Sequence, residues 1–433
     1  MKYLWTQDVE PIRFPKLTND LTTDVLIIGG GMAGILCARL LQERGIDCTV
    51  VEASVIGGGI TKGTTAVITA QHDTLYTDLA ADFGLEKAKQ YLDANLRAVG
   101  QFREMSREIP CDFEDKPSVM YSLFDRKTLE REAETVCSLG FSAEFTTKTQ
   151  LPFKIAGAVR YPYMAQFHPL KFLFGAAEGL DIYEGTFVRR VKGNTAYTDR
   201  GRIKARKIVI ATHYPFINSR GMYSMKLYQM RSFVVALENA PDLSGTYVDT
   251  AEGGMYFRNY KNYLLVGGGD HRTGKNGGGI EAVRDFVRHH FPDAREKYAW
   301  ATQDCMSLDG IPYIGCYSPS MPDVYVATGF NEWGMTSSMA AANILADMIS
   351  GEENEFAPVF APDRSVMHKQ LFVNLGTSLG NLVLPTAKRC PHLGCALKWN
   401  DEEQSWDCPC HGSRFDRQGG LVDNPAMRGI HLK

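Results

Sequence analysis

No stretch of the 433-residue chain stays apolar for the ~18 residues of a membrane-spanning helix. The opening MKYLWTQDVEPIRFPKL has neither an apolar h-region nor a small-residue cleavage site. A cytoplasmic protein is therefore expected rather than an exported or transmembrane one. Surplus charge is also scarce: 47 Lys and Arg stand against 50 Asp and Glu, a net charge of −3. No basic face advertises nucleic acid as a partner. Internal repeats and low-complexity tracts are missing, which excludes solenoids and long disordered linkers. What remains is ordinary globular material, 44% hydrophobic and 22% charged, long enough for two or three domains.

The ten cysteines divide unevenly. Cys37, Cys48, Cys111, Cys137, Cys305 and Cys316 stand singly among apolar neighbours and read as small buried hydrophobes. Cys390, Cys395, Cys408 and Cys410 crowd into one short segment, which scatter does not produce.

Near the N-terminus, after an irregular arm over 1–20, residues 24–29 (DVLIIG) form an apolar run ending in glycines, the pattern of a buried strand. A helix is expected over 32–44, with Ile35, Leu36, Leu40 and Leu41 on one face and Gly45 as its stop. The next strand is 48–51. Strand–helix–strand implies a parallel sheet and an α/β fold. Between the first strand and the helix, Gly29, Gly31 and Gly34 satisfy G-x-G-x-x-G, and Glu52 follows the second strand. Glycines there allow a tight turn, backbone approach to a pyrophosphate and close helix–strand packing, while the acid can accept ribose hydroxyls. The Gly/Thr-rich loop 56–65 adds Thr64 and Thr65 as cofactor contacts. Helical patterns fill 73–109 and 126–139. Alternation over 228–268 suggests antiparallel sheet, and the polar stretch 351–364 reads as a linker.

The order of these elements resembles the D-amino-acid oxidase/glycine oxidase family over residues 22–350. The resemblance is carried by KIVIAT (207–212), by Trp300-Ala301 followed by DGIPYIG (309–315), and by VATGFNEWGMT (326–336). It implies FAD as cofactor. The FAD-binding parts would be about 22–75, 155–215 and 300–350, Rossmann-like, and an antiparallel-sheet substrate domain would take about 76–154 and 216–299. By the same resemblance Glu52 holds the adenosine ribose, Val188 flanks the adenine, and Thr212 ends a FAD-contacting strand. Gly329, Gly334, Met335 and Thr336 then approach the ribityl chain and ring. One departure matters. Glycine oxidase-like members carry an arginine four residues after the tryptophan, where it grips the substrate carboxylate; this chain has Asp304. An anion cannot hold an anion, so an amino-acid substrate is not carried over. His72 is a candidate base or substrate contact and His168 a candidate cavity residue, each with a packed structural histidine as its competing reading.

At the C-terminus, Cys390-Pro391-His392-Leu393-Gly394-Cys395 and Cys408-Pro409-Cys410-His411-Gly412-Ser413 present six potential ligands. A tetrahedral zinc site would use four. Six, with Leu-Gly and Gly-Ser embedded, resemble a Rieske centre, and RFDRQGGLVDNPA (414–426) is similar to the Rieske continuation. That resemblance implies a [2Fe–2S] cluster held by Cys390, His392, Cys408 and His411. It also implies a Cys395–Cys410 disulfide clamping the loops. Little chain precedes the first ligand, so the module, residues 365–433, reads as a small, truncated β domain that borrows support from the flavin domain. Together the two parts suggest an FAD-dependent oxidoreductase that oxidises a small organic substrate and passes electrons singly to the cluster. An external acceptor, soluble or membrane-borne, would receive them. The contrasting expectation is a redox sensor or electron-transfer protein without turnover, which would need no cavity beside the flavin.

Overall fold

The structure, a computed structural model, describes residues 1–217, 220–386 and 388–431. Residues 218, 219, 387, 432 and 433, which the expected domains include, lie outside them. Strand Leu21–Ile28 is buried continuously from Val25 onward, as a parallel strand covered on both faces must be. It pairs in parallel with Cys48–Val51, Ile28 opposite Val51, and with Arg202–Ile210, Ile28 opposite Ile210. Asp181–Tyr183 and Val324–Thr328 extend the sheet in parallel on either side, and Tyr313–Cys316 adds an antiparallel edge. The carboxyl ends of the central strands therefore share one edge, where such sheets bind ligands. Helices Met32–Glu43 and Gly334–Ser350 pack together over this sheet.

A second eight-stranded sheet runs, in spatial order, Arg295–Met306, Tyr228–Glu238, Tyr263–Arg272, Tyr256–Tyr260, Thr246–Asp249, Ser118–Ser122, Gly157–Tyr161 and Glu144–Thr146. It is mixed rather than purely antiparallel, because Thr246–Asp249 pairs in parallel with Ser118–Ser122. Alternation reports which face a residue turns to the core, not the direction of a partner strand from a distant segment. The expected helical stretch 73–109 breaks at Gly84, whose φ of +87° ends Leu75–Phe83 before Leu85–Met105 begins.

The N-terminal arm departs from expectation too. Leu4–Thr6 forms a 3₁₀ turn, and Trp5 is fully buried with its Nε1 donating to the Thr64 carbonyl at 2.7 Å. At the other end, helix Lys369–Val383 turns Phe372, Leu379 and Val383 outward and buries Asn374. Beyond it the two cysteine–histidine loops are mounted on four short antiparallel strands, Lys398–Asn400, Ser405–Asp407, Arg414–Phe415 and Leu421–Asp423. Among the described residues, no helix is long and apolar enough to cross a membrane.

Candidate functional site

The glycines after the first strand are dictated by space. A Cβ on Gly34 would lie 1.9 Å from the Gly29 carbonyl oxygen, and one on Gly29, at φ +117°, would lie 2.4 Å from the Ala211 oxygen. Gly31 begins helix Met32–Glu43 without a side-chain cap, leaving the helix N-terminus to an anion. Glu52 accepts hydrogen bonds from Gly30 N (2.9 Å) and Ser54 N (2.8 Å), and burial raises its carboxyl pKa. The cradle thus fits a dinucleotide. Val188 is buried at the start of strand Val188–Lys192, beside the parallel sheet. Gly329, at φ +72°, turns the chain out of strand Val324–Thr328, and Gly334 opens the helix that carries Met335 and Thr336.

The second sheet and segments 60–71 and 332–335 form a cavity lined in part by Thr64, Thr65 and Met335. Its wall also holds Gln71, Thr302 and Thr246, whose Nε2 and hydroxyl atoms are buried without hydrogen-bond partners among the described residues. Unmatched polar atoms on a cavity wall suit a polar occupant such as a flavin ring or substrate.

The two histidines expected to serve substrate are placed otherwise. His168 caps helix Pro169–Ala176, its Nδ1 accepting from Lys171 N (3.1 Å) and its Nε2 lying 2.8 Å from an Asp8 carboxylate oxygen. Its ring packs edge-on to Trp5. His72 is buried behind the cavity wall. Its Nε2 donates to the Thr69 carbonyl at 3.0 Å, its Nδ1 meets Tyr91 Oη at 2.8 Å, and Thr336 Oγ1 lies 3.1 Å away. Burial pushes its pKa down to about 3, so it is neutral. Both ring nitrogens are committed to protein, which is the competing structural reading.

Carboxylates reach the cavity instead. Asp304 and Glu332 line it. Thr302 and Asp304 lie on one face of strand Arg295–Met306, Thr302 opposite Ser232. Ser232 Oγ bonds Asp270. Burial, then the Asp270 charge, pushes the Asp304 carboxyl up to about 7, against a lowering contribution from Arg231. Burial together with Asp270, Asp304 and Asp73 raises Glu332 well above the ordinary carboxylate value.

The cysteine–histidine loops share one local design. Cys390 N donates to Cys395 O and Cys408 N to Ser413 O, both at 2.9 Å, and Gly394 and Gly412 take left-handed conformations. Cys390 and Cys408 are buried with their thiols in mutual contact, and a Cys395–Cys410 disulfide joins the loops. The rings of His392 and His411 lie 4.8 Å apart, centroid to centroid. His411 Nε2 donates to the Ser224 carbonyl at 2.9 Å, while its Nδ1 has no hydrogen-bond partner among the described residues. That tautomer leaves the Nδ1 lone pair available to a metal, and two thiols with two imidazoles match the donor set of a Rieske cluster.

The second sheet grips these loops through residues that sequence reasoning did not assign to the module. Gln229 Nε2 donates to His411 O (2.7 Å), Gln303 Nε2 to Gly412 O (3.0 Å), and Arg272 to Pro409 O (3.1 Å) and Cys410 O (3.0 Å). Each of the three shares its strand with other polar residues, so the strand pattern carried no signal that singled it out. From the parallel sheet, Tyr214 sets its ring 6.2 Å from that of His392 and 6.3 Å from that of His411. Thr212 O and Tyr214 O both accept from Asn424 Nδ2 at 2.8 Å.

Comparison with known proteins follows the same division. Residues 24–348 match the family described as FAD dependent oxidoreductase (DAO), and residues 353–432 match the Rieske [2Fe-2S] domain. A Bacillus subtilis relative, named for a Rieske 2Fe-2S iron-sulfur protein YhfW, is 30% identical, with 98% of this chain and 96% of the relative covered. In fold, glycine oxidase from Geobacillus kaustophilus superposes with a TM-score of 0.67 at 20% identity, covering 80% of this chain and 99% of that one. L-proline dehydrogenase from P. horikoshii gives 0.65 at 20% identity over 81% of this chain and 98% of its own. The chain belongs to the DAO family of FAD-dependent oxidoreductases, with a Rieske [2Fe–2S] domain at its C-terminal end.

Proposed function

We propose that this oxidoreductase oxidises a small organic substrate in the cavity and relays the electrons singly through the cluster to an external acceptor. Bound FAD supplies an acceptor for a hydride, and the cluster supplies a one-electron carrier. The observation that carries the reading is the position of Tyr214. It stands four residues past the end of strand Arg202–Ile210, and its ring lies edge-on to those of both cluster histidines. Asn424 ties the module to the carboxyl end of the same strand. The loops are thereby seated over the edge of the sheet at which the flavin cradle is built. Gln229, Gln303 and Arg272 fix their main chain, and the His411–Ser224 hydrogen bond orients that ligand. The cavity, with its unmatched polar atoms, supports substrate turnover over a sensor that needs no such space.

Anaerobic photoreduction of the flavin in the holoprotein, followed by electron paramagnetic resonance, tests the relay. A Rieske signal is expected to grow as electrons are added, and to be missing in Cys408→Ser, which retains reducible flavin. A fully reduced flavin beside a cluster that stays oxidised would sink the proposal.

A further inference from the structure

The residue that separates this chain from its amino-acid-oxidising resemblance, Asp304, is one of several carboxylates at the cavity. Glu332 is exposed and Asp304 half-buried, and both line the cavity. Asp270 stands behind them, bonded to Ser232 Oγ, which also lies 2.8 Å from Tyr256 Oη. Positive charge nearby is limited. Arg231 is matched by Glu403 in a buried bidentate pair. Arg258 donates through Nη1 to the carbonyls of Thr65, Ala66 and Phe167, its guanidinium lies 5.2 Å from the Trp5 ring, and its Nη2 is buried without a hydrogen-bond partner among the described residues. Two carboxylates, with Asp270 behind them, thus outnumber the one guanidinium on the cavity wall. An anionic substrate would meet repulsion there, whereas a cation would relieve it.

A second, independent feature points to an occupant of this space. Gln71 Nε2, Thr246 Oγ1 and Thr302 Oγ1 are more than nine-tenths buried, line the same cavity, and lack partners among the described residues. Buried polar atoms left unmatched are costly, so a ligand with its own polar groups belongs beside them. A bare metal ion fits poorly. Among the described residues no three oxygens from these acids come within 4.8 Å of one another, as a chelating set must.

We infer that the cavity selects an organic amine with no free carboxylate, its ammonium held by Asp304 and Glu332 and its remaining polar groups by Gln71, Thr246 and Thr302. The inference rests on the reading that substrate is oxidised in this cavity, and it adds the chemical class of that substrate.

The test is titration of anaerobic holoprotein with a short alkylamine, an alkyl diamine, the amino acid of matching chain length, and the matching carboxylate. Binding is read first as a perturbation of the flavin absorption spectrum, independently of turnover, and then as bleaching. At least one amine is expected to perturb the spectrum, with affinity falling at least ~10-fold in Asp304→Asn and in Glu332→Gln. Both variants are near-isosteric, and their flavin content shows whether the fold is intact. A spectrum that no amine perturbs, tighter binding of the amino acid or carboxylate, or undiminished amine affinity in both flavin-replete variants overturns the inference. The two readings fail separately. Amines that bind through these carboxylates but leave flavin and cluster oxidised would remove the relay and keep the recognition. Reduction of flavin and cluster by carboxylate-bearing substrates alone would do the reverse.

Discussion

At Gly34 an added methyl group would collide with the Gly29 carbonyl, and at Gly29 with Ala211, so the motif's glycines were legible because their need is steric and local. The histidines were not legible, because a histidine's role depends on what the rest of the chain brings to its two nitrogens. For His168 the chain brings the Lys171 N–H on one side and Asp8, from the N-terminal arm, on the other. Replacing it by alanine removes a helix cap worth about 1 kcal/mol and leaves Trp5 and Asp8 without their neighbour. His168→Ala is therefore expected to lower stability by about 2–3 kcal/mol in denaturant unfolding, with substrate affinity and flavin content retained under native conditions. A variant of unchanged stability that had lost substrate binding would restore His168 to the cavity.

Elements were read best where one segment contained its whole reason. The strand–helix–strand unit from Leu21 to Val51 is such a case, and so is each ligand loop, where a glycine in left-handed conformation closes the turn around its cysteine. The parallel pairing of Thr246–Asp249 with Ser118–Ser122, and the burial of Leu4 and Trp5, could not be read locally because their partners lie far along the chain. Support for the short Rieske module from the flavin domain was anticipated, but the residues that supply it were not. Three neighbouring strands of the second sheet supply it through Gln229, Arg272 and Gln303. Arg272 does the most, with bonds to two loop carbonyls and, at 2.8 Å, to Asn374 Oδ1 on helix Lys369–Val383. Arg272→Met would strand those acceptors at a cost of about 1–3 kcal/mol each. The expected outcome is full flavin content with cluster loss at least ~10-fold faster than in the wild type, followed by visible absorption and iron per chain. Equal rates of loss would mean that Arg272 is not what retains the cluster.

Across the whole molecule the near-neutral net charge hides two opposed groups of carboxyls. Asp8, on the surface side, is pushed up by burial, but hydrogen bonds from Lys261 and His168 overcome this and hold it below the usual carboxylate range. Its contribution to stability is present above pH ~4 and lost as the solution is acidified through its folded-state pKa. The acids at the cavity and behind it act the other way. Burial pushes Asp73 and Asp270 each up to about 6 and Asp304 up to about 7, and Glu332 is raised with them. Neighbouring groups modulate this: Ser232 lowers Asp270 and Arg231 lowers Asp304, while the Asp270 charge raises Asp304 and Glu332 and the Asp73 charge raises Asp270 and Glu332. A folded protein that binds more protons than its unfolded chain loses stability as pH rises. For these groups the loss spans pH ~4, their unfolded value, to pH ~7. Amine-free holoprotein should therefore have a thermal midpoint that Asp304→Asn raises more at pH ~7.5 than at pH ~5, by on the order of 2 °C. A bound amine should reduce that difference, because its ammonium favours the ionised acids as the asparagine cannot. The comparison of wild type with variant removes the contributions of Asp8 and of the cluster histidines, which both share. If the two midpoints instead move in parallel with pH, amine present or absent, Asp304 is not held in a raised state and the charge imbalance of the cavity is neutralised by some other group.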